Sequence, residues 1–518
     1  MSAAPAQITY PPLTGSTRVL GTLALSSATF MNVLDTSIAN VSLPAISGDL
    51  GVSPVQGTWV ITSFAVANAI AVPLTGWLTQ RVGQVRLFIT SVLLFVLTSW
   101  LCGLAPNMMT LIAFRALQGF VAGPMIPLSQ TLLLASYPRA KSGLAMAMWS
   151  MTTLVAPVTG PLLGGWITDN ISWSWIFFIN VPVGLIAAVA IWSVYHKRES
   201  VTHKLPIDAV GLALLVIWVG ALQLMLDKGK ELDWFASPLI VAFAVVAVVG
   251  LAFFLAWELT EEHPVVDLSL FRRRNFWSGS VVTAVAYSLF FGNVVLLPLW
   301  LQQYMGYTAT RAGMVMAPVG LLAIVLSPLV GLTVHRVDPR RFTSFSFIVF
   351  ALVLWMRSNF NTQTDFGTIM IPTIVQGVAT ATFFVPLVMI TLSGIEPARL
   401  PAASGLSNFM RITAGAMGTS ISTTLWEHRS AMHHAHLSES INLGNPVAMQ
   451  ALNGLQAGGL TQSQSLDMVN NLLTQQAFML SVEEIFYGSS VLFLVLIGLV
   501  WIAKRPHGGD ADAGAGAH

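Results

Sequence analysis

Residues 73–87 read Pro-Leu-Thr-Gly-Trp-Leu-Thr-Gln-Arg-Val-Gly-Gln-Val-Arg-Leu, and residues 328–342 read Pro-Leu-Val-Gly-Leu-Thr-Val-His-Arg-Val-Asp-Pro-Arg-Arg-Phe. The shared pattern Pro-Leu-x-Gly-x4-Arg-Val-x3-Arg recurs 255 positions on, from 73 to 328. A weaker echo pairs Gln118-Gly119 with Gln376-Gly377. Each copy of the pattern is a short basic turn between two long apolar runs. A helix needs roughly 20 apolar residues to cross a bilayer core about 30 Å thick, so each copy reads as a loop between two membrane spans. The chain therefore contains two related halves. Duplicated halves facing each other are the architecture of alternating-access transporters, which hold substrate at the interface.

Working outward, fourteen apolar segments can be read, the first near 18–41 and the last two near 402–426 and 483–503. Six belong to each half and two lie between. The predicted fold is an all-α polytopic membrane protein with two six-helix halves plus two inserted helices. Its parts are an N-terminal segment 1–17, a first half 18–195, a linker with the inserted helices 196–275, a second half 276–503 and a flexible tail 504–518. The second half includes a long polar, Gln/Asn-rich outside segment, 427–482, with helix-like runs. A β-barrel is excluded because its strands alternate polar and apolar residues, whereas these runs are continuously apolar.

Composition agrees. Of 518 residues, 55% are hydrophobic and 9% charged, against about 25% charged in ordinary soluble domains. The 24 Lys and Arg against 22 Asp and Glu leave too little net charge to steer a polyanion, which argues against nucleic acid as a partner. A single cysteine, Cys102, permits no internal disulfide and no multi-thiolate metal site. With the N-terminus inside, seventeen Lys and Arg fall in inside segments and five (Lys228, Lys230, Arg311, Arg357 and Arg429) in outside loops, leaving Arg115 and Arg411 within spans. That bias predicts both termini in the cytoplasm.

Charge inside a span is expensive and marks ion or substrate pathways by default. Asp35 lies in the first span and Arg115 in the fourth, and a rise of about 1.5 Å per residue puts both in the outer half of the bilayer. A carboxyl held between desolvation and a nearby cation can bind and release a proton; a static ion pair is the competing reading. Arg115 is either part of that coupling or a structural anchor. Arg411 shares a helix face with Asn408 three residues before it and either meets substrate or pairs within the bundle. Candidates for lining a drug cavity are Asn32, Phe64, Trp149, Met151, Tyr287, Phe291 and Asn293, since flexible Met and flat aromatic side chains suit promiscuous surfaces. Most such residues in any bundle simply pack. His433, His434 and His436 provide one i, i+3 pair, too few ligands for a closed metal shell, so no metal is expected. Neither a Walker A sequence nor His-Glu-x-x-His is present, so neither ATP drive nor metalloprotease chemistry is expected.

Several segments together carry a family resemblance. They are Leu34-Asp35-Thr36-Ser37-Ile38-Ala39-Asn40-Val41, Gly76-Trp77-Leu78-Thr79-Gln80-Arg81-Val82-Gly83, Arg115-Ala116-Leu117-Gln118-Gly119, and the run Ala156-Pro157-Val158-Thr159-Gly160-Pro161-Leu162-Leu163-Gly164-Gly165. Trp175 to Pro182 and Met432 to Leu437 add to them. The chain resembles the major facilitator superfamily, and within it the fourteen-helix drug:proton antiporters. The resemblance implies a secondary transporter rather than an enzyme, one with no cofactor, driven by the proton gradient and exporting hydrophobic drugs across the bacterial inner membrane. It implies a periplasmic adaptor of the EmrA type and a TolC-like outer-membrane channel as partners. It assigns proton coupling to Asp35 and Arg115. Pro157, Gly160, Pro161, Gly164 and Gly165 become the antiporter-motif helix, and Gly76, Arg81, Gly83 and Arg86 the cytoplasmic gate loop. The sequence departs at Gln80, where the superfamily usually carries Asp. The residues alone leave open a dedicated exporter or importer of one metabolite, or a membrane receptor that moves nothing.

Overall fold

A computed structural model describes residues 10–138, 141–202, 206, 208–334, 336–442 and 444–505. Most of the expected N-terminal segment, nearly all of the expected tail, and two of the counted cations (Arg139 and Lys204) lie outside the described residues, as does the side chain of Pro161. Fourteen long helices follow in chain order: α1 (Gly15–Asp49), α2 (Trp59–Ala71, bent by 62° into Thr75–Val82), α3 (Gln84–Gly103), α4 (Met108–Ser136), α5 (Ser142–Asn170), α6 (Trp175–Tyr195), α7 (Ala209–Lys228), α8 (Pro238–Thr260), α9 (Arg274–Gln303), α10 (Ala309–Thr333), α11 (Pro339–Arg357), α12 (Phe366–Leu392), α13 (Leu400–Glu439) and α14 (Gln462–Ile502). No strand occurs among the described residues. Among the described residues, eleven of these, with the bent α2 taken as one, are long and apolar enough to cross a membrane by themselves. α1 and α13 bring Ser, Thr and Asn inward, which dilutes their apolar character.

Two separate cores hold the halves. The first packs Leu25, Met31, Phe88, Phe95 and Leu128; the second packs Tyr287, Trp300, Phe347, Phe383 and Phe486. Leu97, Ile186, Val248, Leu321 and Leu352 point outward as the lipid-facing belt. The sequence repeat is a structural one. In the first half α1 packs on α5 and α6, α2 on α4, and α3 on α4 and α6; in the second α9 packs on α13 and α14, α10 on α12, and α11 on α12 and α14. A Cβ on Gly119 would strike the carbonyl of Phe64, and one on Gly377 would strike Leu322. Both members of the second contact sit 258 positions after those of the first. The inserted α7 packs on α8 and reaches both halves, through α2 and α13.

The long outside segment differs from a loop. α13 has 40 residues and α14 has 41, each about 60 Å long at 1.5 Å per residue, twice a bilayer core. They continue past the membrane as a helical hairpin joined through a short helix, Pro446–Ala457. The expected ends at 426 and 483 follow the loss of hydropathy, but Gln, Ser, Met and His still propagate a helix, and no proline stops it before Pro446. Bidentate bonds from Arg429 to Glu484 (2.6 and 2.7 Å) clamp the hairpin. Within it His433 faces Glu484 at 3.1 Å and His434 meets Asn470 at 3.0 Å.

Candidate functional site

Asp35 and Arg115 meet. α1 and α4 bring them into an ion pair of 2.5 Å, with side chains 0% and 1% exposed. Removing two charges from water costs several kcal/mol per ion unless hydrogen bonds satisfy the remaining donors and acceptors, and here neutral neighbours do so. Asp35 accepts from Gln118 Nε2 at 3.1 Å and from Asn180 Nδ2 at 2.9 Å. Arg115 donates to Gln118 Oε1 at 2.8 Å and to the carbonyl of Val60 at 3.1 Å, and its guanidinium lies 4.3 Å over the ring of Phe64. Asn180 also donates to Ser99 Oγ at 2.9 Å, which in turn donates to the carbonyl of Phe177. One carboxylate thus ties together α1, α3, α4 and α6.

Gln118, Asn180 and Ser99 were not among the expected site residues. Gln118 and Asn180 lie in the quoted motifs, but nothing in their spacing shows that their amides converge on Asp35. Phe64 belongs to this network rather than to a substrate cavity.

α5 lies against α1 beside this network. Cβ atoms on Gly160 and Gly164 would collide with Ser37 and Ile38, and Ser37 Oγ donates to the carbonyl of Pro157 at 3.1 Å. Such small residues let helix backbones approach closely. Gly165 faces open space. On its other side α5 packs on α10 of the second half.

At the Lys- and Arg-rich end the two repeat loops close the halves on each other. Gly76 abuts Ala402, whose Cα would lie 2.7 Å from a Cβ at position 76. Gly331 abuts Gly143 and Ala147, with the Gly143 carbonyl 2.7 Å from such a Cβ. The second contact mirrors the first, position 331 corresponding to 76 and 402 to 147 at the same spacing of 255. Gly83 turns the chain into α3 with φ of +98°, a conformation that favours glycine. The loop's carboxylate comes from Glu199, which accepts from the backbone N–H groups of Val85 and Arg86 at 2.9 Å each, capping α3. Arg86 lies 3.9 Å from the same carboxylate, and Arg81 stands over the Trp77 ring at 5.4 Å.

Between the halves lies a cavity of about 20 Å³, lined by Gln130 and Trp149 from the first half and by Tyr287, Phe384, Asn408 and Arg411 among others from the second. Its polar side is one chain of bonds. Arg411 donates to Asn408 Oδ1 at 2.8 Å and contacts the Tyr287 hydroxyl at 3.4 Å, and Asn408 donates to Gln130 Oε1 at 3.1 Å. Trp149, Tyr287, Asn408 and Arg411 are therefore brought together as expected cavity residues. Asn32 instead bonds the carbonyl of Ala122, Asn293 bonds its own helix at Leu289, and Phe291 packs on Tyr287; Met151 is likewise absent from the lining. The four-residue spacing of a helix says which residues share a face, but not which face meets the other half.

The model of the Major Facilitator Superfamily matches residues 25–419. The chain belongs to the major facilitator superfamily. Within it, the chain is 53% identical over 508 residues to the multidrug export protein EmrB of Escherichia coli K12, covering 98% of this chain and 99% of that one. It is 49% identical to the fatty acid resistance protein FarB of Neisseria gonorrhoeae, over 98% and 100% of the two chains. Among solved structures, the human organic anion transporter MFSD10 superposes with a TM-score of 0.58 at 11% identity, over 95% of this chain and 100% of that one. That likeness shows the major facilitator fold. The protein is thus an EmrB-like, multi-pass membrane transporter of this superfamily rather than an enzyme.

Proposed function

We propose that the protein is a proton-driven antiporter that exports hydrophobic drugs and toxic compounds across the bacterial inner membrane, with both termini in the cytoplasm. The observation that carries this reading is the buried Asp35–Arg115 pair, an ionisable couple inside one half of a two-half transporter. The near full-length likeness to multidrug exporters supports the substrate class.

Protonation of Asp35 removes the charge that Arg115, Gln118 and Asn180 all face, and so loosens the links between α1, α3, α4 and α6. Deprotonation restores them. A compound entering from the cytoplasm or inner leaflet binds between the halves beside Arg411, Asn408, Tyr287 and Trp149, after the seal at Gly76–Ala402 and Gly331–Ala147 opens. Proton entry from the outside resets the cycle. The drive is about 1.36 kcal/mol per pH unit plus about 2.3 kcal/mol per charge per 100 mV of membrane potential. The helical hairpin beyond the membrane offers an EmrA-type adaptor a docking surface, on the way to a TolC-like channel.

The test is accumulation of a labelled drug that carries no titratable proton, in everted vesicles with an acid-inside gradient. Gradient-dependent uptake by the wild type, lost in Asp35→Asn with drug binding retained, is the expected result. Unchanged uptake in Asp35→Asn removes Asp35 as the coupling site, and absence of uptake in both removes the export reading.

A further inference from the structure

Arg357 was counted among cations of the outside loops, but the structure buries it completely, in the last turn of α11. It donates to Gln376 Oε1 at 2.6 Å and to Thr373 Oγ1 at 3.3 Å. Its Nε and Nη1 have no protein partner, and among the described residues no carboxylate lies within ion-pair distance of it. The indole N–H of Trp300 is also buried without a partner. Its ring stacks on Phe360, one turn beyond Arg357, with centroids 6.1 Å apart.

The internal symmetry explains what this cluster lacks. At the spacing of 258 that relates Gly119 to Gly377, Gln118 corresponds to Gln376 and Arg115 to Thr373; α11 follows α3 at the loop spacing of 255, which relates Cys102 to Arg357, and each of these donates to its glutamine's oxygen. In both halves a guanidinium donates to the same glutamine oxygen, from Arg115 to Gln118 and from Arg357 to Gln376. The cation has moved from the fourth helix of the half to the third. The acid is missing: α9 follows α1 at a spacing of 254, as the contacts of Ile38 with Gly164 and of Gly292 with Gly418 show, and Leu289 stands where Asp35 stands in the first half. A buried charge needs an opposite charge or a full set of hydrogen bonds, and the dipole at a helix C-terminus offsets only part of that cost.

We infer that Arg357, held by Gln376 and Thr373, forms a binding site in the second half for a small monovalent anion, which takes the role that the Asp35 carboxylate plays in the first. The donors present, Nε and Nη1 of the buried guanidinium, suit a halide or carboxylate, an acceptor without protons to place.

Chloride is the probe. Thermal unfolding of the purified full chain in nanodiscs is followed in sodium chloride and in sodium gluconate of equal ionic strength, gluconate being too bulky to enter. A ligand that binds only the folded state raises Tm in a saturable way. The expected result is a saturable rise in chloride for the wild type, absent in Arg357→Gln and absent in Gln376→Glu, which supplies the anion from the chain itself at a position already bonded to Arg357. Arg411→Gln, whose cation lines the central cavity, keeps the rise. Where Arg357→Gln fails to fold, the nearly isosteric Gln376→Glu decides. No chloride effect in the wild type overturns the proposal, because a neutral partner then suffices. An effect that persists in both variants, or disappears only in Arg411→Gln, overturns it by placing the anion elsewhere.

Discussion

The two halves share a backbone plan and a glutamine at the same place, yet they handle charge in opposite ways. The first half pairs its guanidinium with a carboxylate and satisfies both with two neutral side chains, Gln118 and Asn180. The second half has a guanidinium, a glutamine and a threonine, and among the described residues no carboxylate paired with them. A buried ion pair of this kind therefore sits in one half only, while the seal at the Lys- and Arg-rich end is built from matching glycine contacts in both. The fold repeats where it must close and diverges where it must respond to a proton.

Breaking the pair in the first half is expected to have the largest effect. Arg115→Met leaves Asp35 buried without its cation and should cost about 3–5 kcal/mol of stability, measured by unfolding in nanodiscs. Adding Asp35→Asn to Arg115→Met should recover much of that loss without restoring gradient-driven transport. A double variant as unstable as Arg115→Met alone would show that the guanidinium is an anchor rather than a counter-charge.

Removing the shared glutamine sharpens the contrast between the halves. Gln118→Ala leaves both members of the pair short of a bond and should cost about 1–3 kcal/mol, together with transport. Gln376→Ala should cost a comparable amount of stability while leaving the pH dependence of transport unchanged.

The seal should answer symmetrically. Gly76→Ala places a methyl against the Ala402 backbone, and Gly331→Ala places one against Gly143. Overpacking of this kind costs about 1–3 kcal/mol. Both variants should shift the protein toward opening at that end, read as faster labelling of a cysteine placed at Ser407 beside the cavity. Opposite responses would mean that the two contacts are not equivalent.

The smallest effect is expected where the inserted helices touch the second half. Lys230 and Glu427 pair at 2.8 Å with about half of each side chain exposed. Glu427→Gln should change stability by less than about 1 kcal/mol and leave transport intact.

The membrane class, the span count and the duplication were legible in the sequence because they depend on local quantities: apolar length, loop charge and a recurring pattern. Asp35 was legible for the same reason, since a carboxylate within an apolar run has no cheap local explanation. The amides that hold it were not, because Gln118, Asn180 and Ser99 lie on three other helices and converge only through packing. The cavity was partly legible: Arg411 and Asn408 announce themselves as polar residues in a span, whereas Phe64 and Asn293 face within their own halves. Arg357 was misread as a loop residue because the helix end that carries it is covered by its neighbours, and hydropathy does not register burial by packing. The outer hairpin was legible as an outside segment with helix-like runs, but not as the continuation of two spans, because hydropathy fades at the membrane surface while helix propensity does not. The sequence by itself determined what crosses the membrane and that it does so twice over. Which charges meet, and which are left without a protein partner, was decided only by the tertiary structure, because a buried ion's partners are set by distances between helices that no local pattern encodes.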